Sequence, residues 1–306
     1  GGEAEKTSWT NIILKIRLPK TTTAALAGAA LGISGLMMQT YFRNPLAVPF
    51  ILGVSSGASL GVALVVLSVG TVGGTLITGF GLTGDLLLTF AAALGAGITL
   101  VIVLLVAQRV GDSMTLLILG VMFAQLTAAL VTLLLHFAVT ERIQAYVNWT
   151  FGSFTGVTWD QMPILAGAVI PALLASLLLT KPLNALLLGE GYARSMGLDI
   201  RRARLLIVSA TAVLAGAITA FCGPIGFIGI AVPHLCRALF STSDHRILVP
   251  STMLMGALIA MFAGIVAEVP GSNATLPLNA VTALIGSPVV VMVILRQRGV
   301  KRTFAA

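Results

Sequence analysis

Seven of the 28 charged residues of this chain lie in one interior stretch of 24, residues 181–204. Four of the seven are arginines, whose guanidinium groups donate planar pairs of hydrogen bonds to carboxylates. Gly191 and Gly197 in the same stretch can end or bend short helices. A solvated loop would explain the charge but not the glycine spacing. The pattern therefore predicts a surface that contacts another protein.

A second pattern, Gly53–Gly57 (GVSSG), matches the GxSxG turn that exposes a nucleophilic serine. Ser55 would then attack a substrate, with His136, His234 or His245 as the base. That chemistry needs a strand–turn–helix context, whereas the glycine-rich sequence around Ser55 favours a helix. An intramembrane serine hydrolase is therefore the weaker interpretation, and activity of Ser55→Ala would exclude it.

Metal and cofactor chemistry has little support in the sequence. His136 and the methionines Met37, Met38, Met114 and Met122 lie singly in apolar stretches, where such residues usually serve packing. Cys222 and Cys236 lack the spacing of metal ligands and are interpreted as structural thiols. We predict no metal site and no cofactor in this chain.

Nucleotide and nucleic-acid chemistry is also disfavoured. The sequence contains no GxxxxGK[ST] and no Gly-Lys pair, so the chain cannot hydrolyse ATP by that route, and it is predicted not to be an enzyme. The net charge of +8 comes from bases that lie singly between apolar segments, which disfavours nucleic acid as a partner.

The elements that must position these residues are membrane helices. Hydrophobic residues make up 57% of the chain and charged residues 9%, and the mean hydropathy is +1.03. A span needs about 20 apolar residues. Eight stretches meet this need, and a ninth, Phe227–Phe240, is shorter. The eight are Pro19–Thr40, Pro49–Val69, Leu86–Ala107, Thr115–Phe137, Met162–Thr180, Leu205–Phe221, Ile247–Val266 and Pro277–Leu295.

The Lys and Arg residues predict the orientation. With nine spans, 13 of the 18 fall on the side of the C-terminus, which the positive-inside rule assigns to the cytoplasm. The observed N-terminus then starts outside without a signal sequence, so we expect an earlier helix to be missing. No confident span has Asp, Glu, Lys or Arg at membrane depth, which disfavours proton-coupled pumps and voltage sensors.

Glycines and prolines mark two further features. Small residues recur every fourth position, as in Gly28 and Gly32, Gly53 to Gly61, and Ala93 and Gly97, which predicts close helix packing. Gly223, Pro224, Gly226, Gly229 and Pro233 interrupt the apolar run of Gly223–Arg237, and predict a bend or a short re-entrant piece, where non-helical backbone must be buried or hydrated.

Five motifs together resemble the FecCD-type permeases of bacterial ABC importers, which take up cobalamin, haem and ferric siderophores. The motifs are IRLPKT (Ile16–Thr21), RNPLAVPF (Arg43–Phe50), GPIGFIGIAVPHLCR (Gly223–Arg237), TSDHRILVP (Thr242–Pro250) and LPLNAVTALIGSPVV (Leu276–Val290). The resemblance runs from Ile16 to Arg296. It implies an all-α polytopic bundle with the ABC type II importer fold, with ten helices in the family and nine here. Residues 1–306 would form one permease domain.

The resemblance gives residues 181–204 a role as the cytoplasmic coupling loop. The family loop forms two short helices in a groove of the ATPase, and the matching segment is Leu188–Ile200. Glu190, Ala193 and Gly197 resemble its Glu-Ala-Ala…Gly pattern. The implied contact residues are Leu188, Gly189, Glu190, Ala193, Arg194, Gly197 and Leu198.

The resemblance also implies an outer contact and a path. Arg17 and Lys20 match bases that meet acidic groups of a periplasmic or lipoprotein binding protein, whereas Glu268 stands where another base is expected; interfacial snorkelling is the alternative for the two bases. The expected lining of the translocation path is Pro49, Leu52, Ser55, Ser56, Ser59 and Met122.

The implied assembly lies in the bacterial inner membrane. It contains two ATPases holding ATP and Mg²⁺, and a second permease that is either identical or a related chain. Transport would follow alternating access, and the importer could be specific for cobalamin. A passive channel is the alternative from another class, but it would not need the loop at residues 181–204, and flux without nucleotide would support it.

Overall fold

The computed structural model describes residues 9–67, 84–109, 113–268 and 275–303. The described part is a helical bundle; its one β-type pairing is an isolated bridge between Glu268 and Thr275. Twelve α-helices are numbered here in chain order. They are α1 Leu18–Tyr41, α2 Val54–Leu67, α3 Gly84–Arg109, α4 Ser113–His136, α5 Thr140–Thr150, α6 Met162–Leu178, α7 Thr180–Leu187, α8 Glu190–Ser195, α9 Ile200–Cys222, α10 Ile228–Phe240, α11 His245–Ala267 and α12 Leu278–Thr303.

The apolar helices coincide with the nine predicted spans, and the all-α fold is confirmed. Five helices in the described residues are long and apolar enough to cross a membrane: Trp9–Tyr41, Leu86–Arg109, Met114–His136, Ile200–Cys222 and His245–Ala267. The pair α6 and α7 makes a sixth if the 55° bend between them belongs to one span. The other three, Val54–Leu67, Ile228–Phe240 and Leu278–Met292, are shorter.

Three predicted boundaries were wrong, each for a local reason. The span from Pro49 begins as a 3₁₀ turn, Pro49–Leu52, and not as an α-helix. Gly53 ends this turn in the left-handed region (φ +74°), and α2 begins after it. Residues 68 and 69 at the end of the predicted span lie outside the described part. Met162–Thr180 ends as a straight helix at Leu178. The span placed at Leu205 begins at Ile200, where the Asp199 carboxylate accepts the Arg202 N–H at 3.1 Å.

The charged residues Glu3, Glu5 and Lys6 lie outside the described part, as do residues 269–274 between α11 and α12.

Close packing was predicted at several glycines. A methyl group on Gly28 would overlap the Gly256 carbonyl of α11, and one on Gly35 would overlap the Gly229 carbonyl of α10. Gly57 and Gly61 of α2 pack equally closely on α3. The close packing predicted at Gly97 is wrong, because nothing lies within 4 Å of where its Cβ would be.

Helix contacts define two ends of the bundle. We name the ends after the predicted orientation: the inner end carries Tyr41, α7, α8 and the start of α11, and the outer end carries Lys20, the end of α9 and the start of α12. α1 runs between them and is buried along most of its length. α3 and α4 expose many large apolar side chains, as expected for helices that face lipid or another subunit.

Candidate functional site

The inner contact surface is built from α7, α8 and the two glycines that follow them. After the bend at Leu179, α7 buries Leu183 and Leu186 against the bundle. Gly189 (φ +104°) separates α7 from α8, and Gly197 (φ +84°) separates α8 from α9. These left-handed conformations suit glycine. The two short helices are therefore α7 and α8, and the matching segment Leu188–Ile200 contains only the second of them.

Gly197, expected from the sequence to end or bend a short helix, lies at the turn from α8 into the long helix α9. Gly189 occupies the bend between the two short helices. Gly191, predicted to end or bend a helix, lies inside α8 with nothing within 4 Å of where its Cβ would be.

The predicted contact residues divide into exposed and buried ones. Leu188 and Arg194 are exposed, and Leu198 is partly exposed. Gly189 is buried at the turn and Ala193 is buried within α8, so neither offers a side chain to a partner. Sequence reasoning missed Tyr192 and Met196, whose exposed fractions are 55% and 53%, close to the 62% of Leu188. Large apolar side chains exposed on short helices outside the spans are the signal that could have identified them.

Arg204 does not face outward, contrary to expectation. Its side chain is 6% exposed, and its Nη2 lies 3.7 Å from Oε1 of Glu190. This pair links α8 to the second turn of α9. Arg202 pairs with Asp199 at 3.0 Å on the surface, whereas Arg194 and Arg201 are exposed. Beside them opens a cleft of about 420 Å³, lined by Tyr41, Arg43 and the residues from Leu186 to Tyr192 except Leu187.

A polar junction that sequence reasoning missed connects α7 to the core. The Asn184 amide donates to Oδ1 of Asp244 at 2.6 Å, and its Oδ1 accepts the backbone N–H of His245 at 2.8 Å. Nδ1 of His245 lies 2.8 Å from the same oxygen, and Nε2 lies 2.8 Å from the Thr40 hydroxyl of α1. His245 and Thr40 are each 1% exposed. We call Asn184, Asp244, His245 and Thr40 the inner junction.

The outer contact surface contains an ion pair that the sequence did not reveal. Nζ of Lys20 contacts Oε1 of Glu268, and the two side chains are 15% and 57% exposed. Glu268 therefore pairs with Lys20 and neutralises its charge. Arg17 is exposed at the end of the π-helical turn Ile13–Arg17, one turn before Lys20. A cavity of about 430 Å³ adjoins the pair and is lined also by Asn148, Ser153 and Thr275.

The glycine-rich break is an extended segment that ends inside the bundle. α9 ends at Cys222, Gly223 (φ +74°) turns the chain, and α10 begins only at Ile228. Gly229 packs beside Gly35 and Pro49, past the midpoint of α1. α10 is 13 residues long, and at about 1.5 Å per residue it is too short to cross a bilayer core of about 30 Å alone. Pro233 lies within it.

One asparagine satisfies the backbone of this break. Oδ1 of Asn279 accepts the Gly226 N–H at 2.8 Å, and Nδ2 donates to Pro224 O at 2.5 Å and to Thr150 O at 2.8 Å. Asn279 also donates its own N–H to Phe151 O at 3.0 Å. We call Asn279 with Pro224, Gly226 and Thr150 the outer junction. Apart from Asn279, its members contribute backbone atoms only.

The predicted path residues do not line one cavity. Leu52 and Met122 share an apolar cavity of about 290 Å³ between α3 and α4. Pro49 instead packs on Gly229, and the Ser59 hydroxyl is hydrogen-bonded to Tyr146 of α5. Ser55 is buried near the start of α2, and Ser56 beside it is half-buried.

The described residues do not form a hydrolytic triad around Ser55. It follows a 3₁₀ turn rather than a strand. His234 is bonded to Pro45 O at 2.9 Å, His245 belongs to the inner junction, and the His136 ring packs edge-on against Phe137. The nucleophile-elbow interpretation therefore loses both its backbone context and its base.

Comparisons with known proteins agree with the helical bundle and its motifs. The model of the FecCD transport family matches residues 2–296. The chain is 40% identical over 288 residues to the vitamin B12 import system permease protein BtuC of Klebsiella pneumoniae, covering 94% of this chain and 83% of that protein. It is 38% identical over 285 residues to the BtuC protein of Salmonella paratyphi A, covering 93% and 83%.

Solved structures show the same architecture. A metal-chelate type ABC transporter in an inward-facing conformation superimposes with a TM-score of 0.83 at 31% identity, covering 94% of this chain and 88% of that one. PsaBC from Streptococcus pneumoniae in complex with Fab has a TM-score of 0.53 at 17% identity, a likeness of fold, over 90% of each chain. With the family model matched over nearly the whole sequence, this chain belongs to the FecCD transport family.

Proposed function

We propose that this chain is the transmembrane permease subunit of an ATP-driven ABC importer for cobalamin or another large metal chelate, such as haem or a ferric siderophore. The observation that carries the proposal is the inner contact surface. There Leu188, Tyr192 and Met196 are exposed on or beside two short helices, which glycine turns separate from each other and from α9. Membership of the FecCD family and the vitamin B12 permease relatives support the substrate class.

The proposed assembly gives this chain four protein partners in a lipid bilayer. Two ATPase subunits contact α7 and α8, hydrolyse ATP and hold the Mg²⁺; this chain itself holds no cofactor. A second permease copy, identical or related, completes the path. A periplasmic or lipoprotein binding protein delivers the chelate at the outer end, and the lipid bilayer of the bacterial inner membrane surrounds the bundle, with the C-terminus in the cytoplasm.

The proposed mechanism is alternating access. ATP binding draws the two ATPases together, and α7 and α8 transmit that motion to the membrane helices. The chelate passes along a lining of small and apolar side chains near residues 49–60 and α4. Weak contacts suit a transporter, since tight binding would slow release.

The test reconstitutes the permease with its ATPase and binding protein in proteoliposomes. The binding protein is loaded in turn with cobalamin, haem and a ferric siderophore, and uptake is measured with ATP and with a non-hydrolysable analogue. We expect ATP-dependent uptake of one chelate. Uptake that continues without ATP hydrolysis would identify a channel and refute the proposal, as would failure of all three chelates to stimulate ATP hydrolysis.

A further inference from the structure

The inner junction gives α7 a specific polar link to the transmembrane core. α7 is joined covalently to α6 only through the 55° bend at Leu179, and its apolar face contributes non-directional packing. Asn184 adds directional contacts, because its amide is bonded to both Asp244 and His245. A displacement of α7 must therefore move the start of α11 or break these bonds.

The amide of Asn184 has only one orientation that satisfies its partners. Its Nδ2 must point to the Asp244 carboxylate, which only accepts, and its Oδ1 must point to the backbone N–H of His245, which only donates. Since Oδ1 only accepts, Nδ1 of His245 must carry a proton. Turning the amide by half a rotation would break these contacts together.

The histidine extends the link from α11 to α1. With Nδ1 protonated and the buried ring neutral, Nε2 accepts the proton of the Thr40 hydroxyl, at 2.8 Å. Both residues are nearly fully buried. Water cannot readily replace bonds at such a site.

We propose that Asn184 is a positioning residue which, through His245 and Asp244, transmits the movement of α7 to α11 and α1 during ATP-driven transport. The proposal rests on the proposed function of α7 and α8 as ATPase contacts. It adds that a contiguous hydrogen-bonded chain, α7 to α11 to α1, carries the coupling. The Asn184 amide contacts Asp244 and His245, whereas the side chains proposed to contact the ATPase are the exposed ones of Leu188, Tyr192 and Met196.

The first test replaces Asn184 with leucine, which has similar volume and no hydrogen-bonding group. In the reconstituted complex we expect the ATPase to remain bound and active, while chelate transported per ATP hydrolysed falls about tenfold or more, because three hydrogen bonds are lost. Ser251→Ala is the matched control, since that hydroxyl on α11 donates to Ile247 O of its own helix at 2.7 Å and to no other helix in the described residues.

The second test exchanges the two polar partners and stays decisive if Asn184→Leu does not fold. Asn184→Asp alone sets a carboxylate against Asp244 and should uncouple transport. Adding Asp244→Asn lets its amide N–H donate to the new carboxylate at position 184, although the acceptor for the Arg246 N–H is lost, because Oδ1 of Asp244 now serves both contacts. The double variant should therefore recover part of the transport per ATP.

The outcomes separate this proposal from the proposed function. If wild-type complex gives no ATP-dependent uptake, the proposed function fails first. If wild type transports and either Asn184→Leu or Asn184→Asp matches it in transport per ATP, Asn184 does not carry the coupling. Loss of ATPase binding in the variants, or an exchange no better than Asn184→Asp alone, would also overturn the proposal.

Discussion

The inner and outer junctions each depend on one asparagine but bond to different kinds of partner. Asn279 at the outer end bonds backbone atoms of Thr150, Pro224 and Gly226. Asn184 at the inner end bonds two side chains and one helix N-terminus. Backbone groups in a break must be satisfied wherever the chain folds, so the outer junction serves the fold. The inner junction joins one helix to two others, so we expect it to serve motion.

The largest expected effect tests whether the two ends are assigned correctly. In a background without the buried thiols Cys222 and Cys236, single Ser195→Cys and Thr158→Cys variants place accessible thiols at the inner and outer ends. In spheroplasts an impermeant reagent should label position 158 fully, and position 195 only after permeabilisation. Labelling of position 195 in intact spheroplasts would reverse the assignment of the two ends. It would place α7 and α8 on the side of the membrane that has no ATP.

The next effect tests the outer junction as a folding element. Asn279→Leu leaves the Gly226 N–H and two carbonyls without their partner, and we expect the free energy of unfolding to fall by about 3 kcal/mol or more. The measurement is the thermal midpoint of purified protein in detergent. Asn148→Leu is the control, an exposed asparagine on α5. Equal thermal midpoints for Asn279→Leu and Asn148→Leu would contradict the folding role of the outer junction. A stable Asn279→Leu variant that hydrolyses ATP without transport would contradict it as well.

A smaller effect concerns the charges of the outer surface. Because Lys20 is paired with Glu268, Arg17 should dominate the attraction of an acidic binding protein. Arg17→Glu should slow association about tenfold at low salt and reduce its salt dependence. Replacing the neutral pair with Lys20→Met and Glu268→Met should change association much less. Association of binding protein with the permease in nanodiscs measures this, and equal rates for Arg17→Glu and wild type would leave snorkelling as the account of Arg17.

The smallest effect is the pH response of the inner junction. The pKa of Asp244 is lowered by the hydrogen bond from the Arg246 backbone and by the one from the Asn184 side chain. A lowered pKa gives stability that is present above the unfolded pKa, about 3.9, and is lost as pH falls through the folded value. The thermal midpoints of wild type and Asp244→Asn should differ by a constant amount from pH 8 to 5, and converge below about pH 4. A difference between the two thermal midpoints that widened on acidification would contradict a stabilising hydrogen bond from Asn184 to the Asp244 carboxylate.

Sequence reasoning predicted what depends on composition and local pattern. Apolar stretches gave the helices, and the glycine-rich run at Gly223 gave the break, because both depend on neighbours along the chain. It missed contacts between distant residues: Asn184 lies 61 positions from His245, and Lys20 lies 248 from Glu268. It also placed Arg204 on the surface, because no local signal shows that a base at the start of a helix faces an acid on the preceding one.

The direct backbone contact of α1 with α11 at Gly28 and Gly256 has a consequence for how the bundle can deform. Side chains can change rotamer to let two helices slide, but two main chains in contact have no such freedom. We therefore expect α1 and α11 to move together as one rigid unit during transport. We expect the conformational change to occur at other helices, such as α3 and α4, whose apolar faces are exposed. Distances between spin labels on α1 and α11 should then stay constant during the transport cycle, whereas distances from either helix to α4 should change.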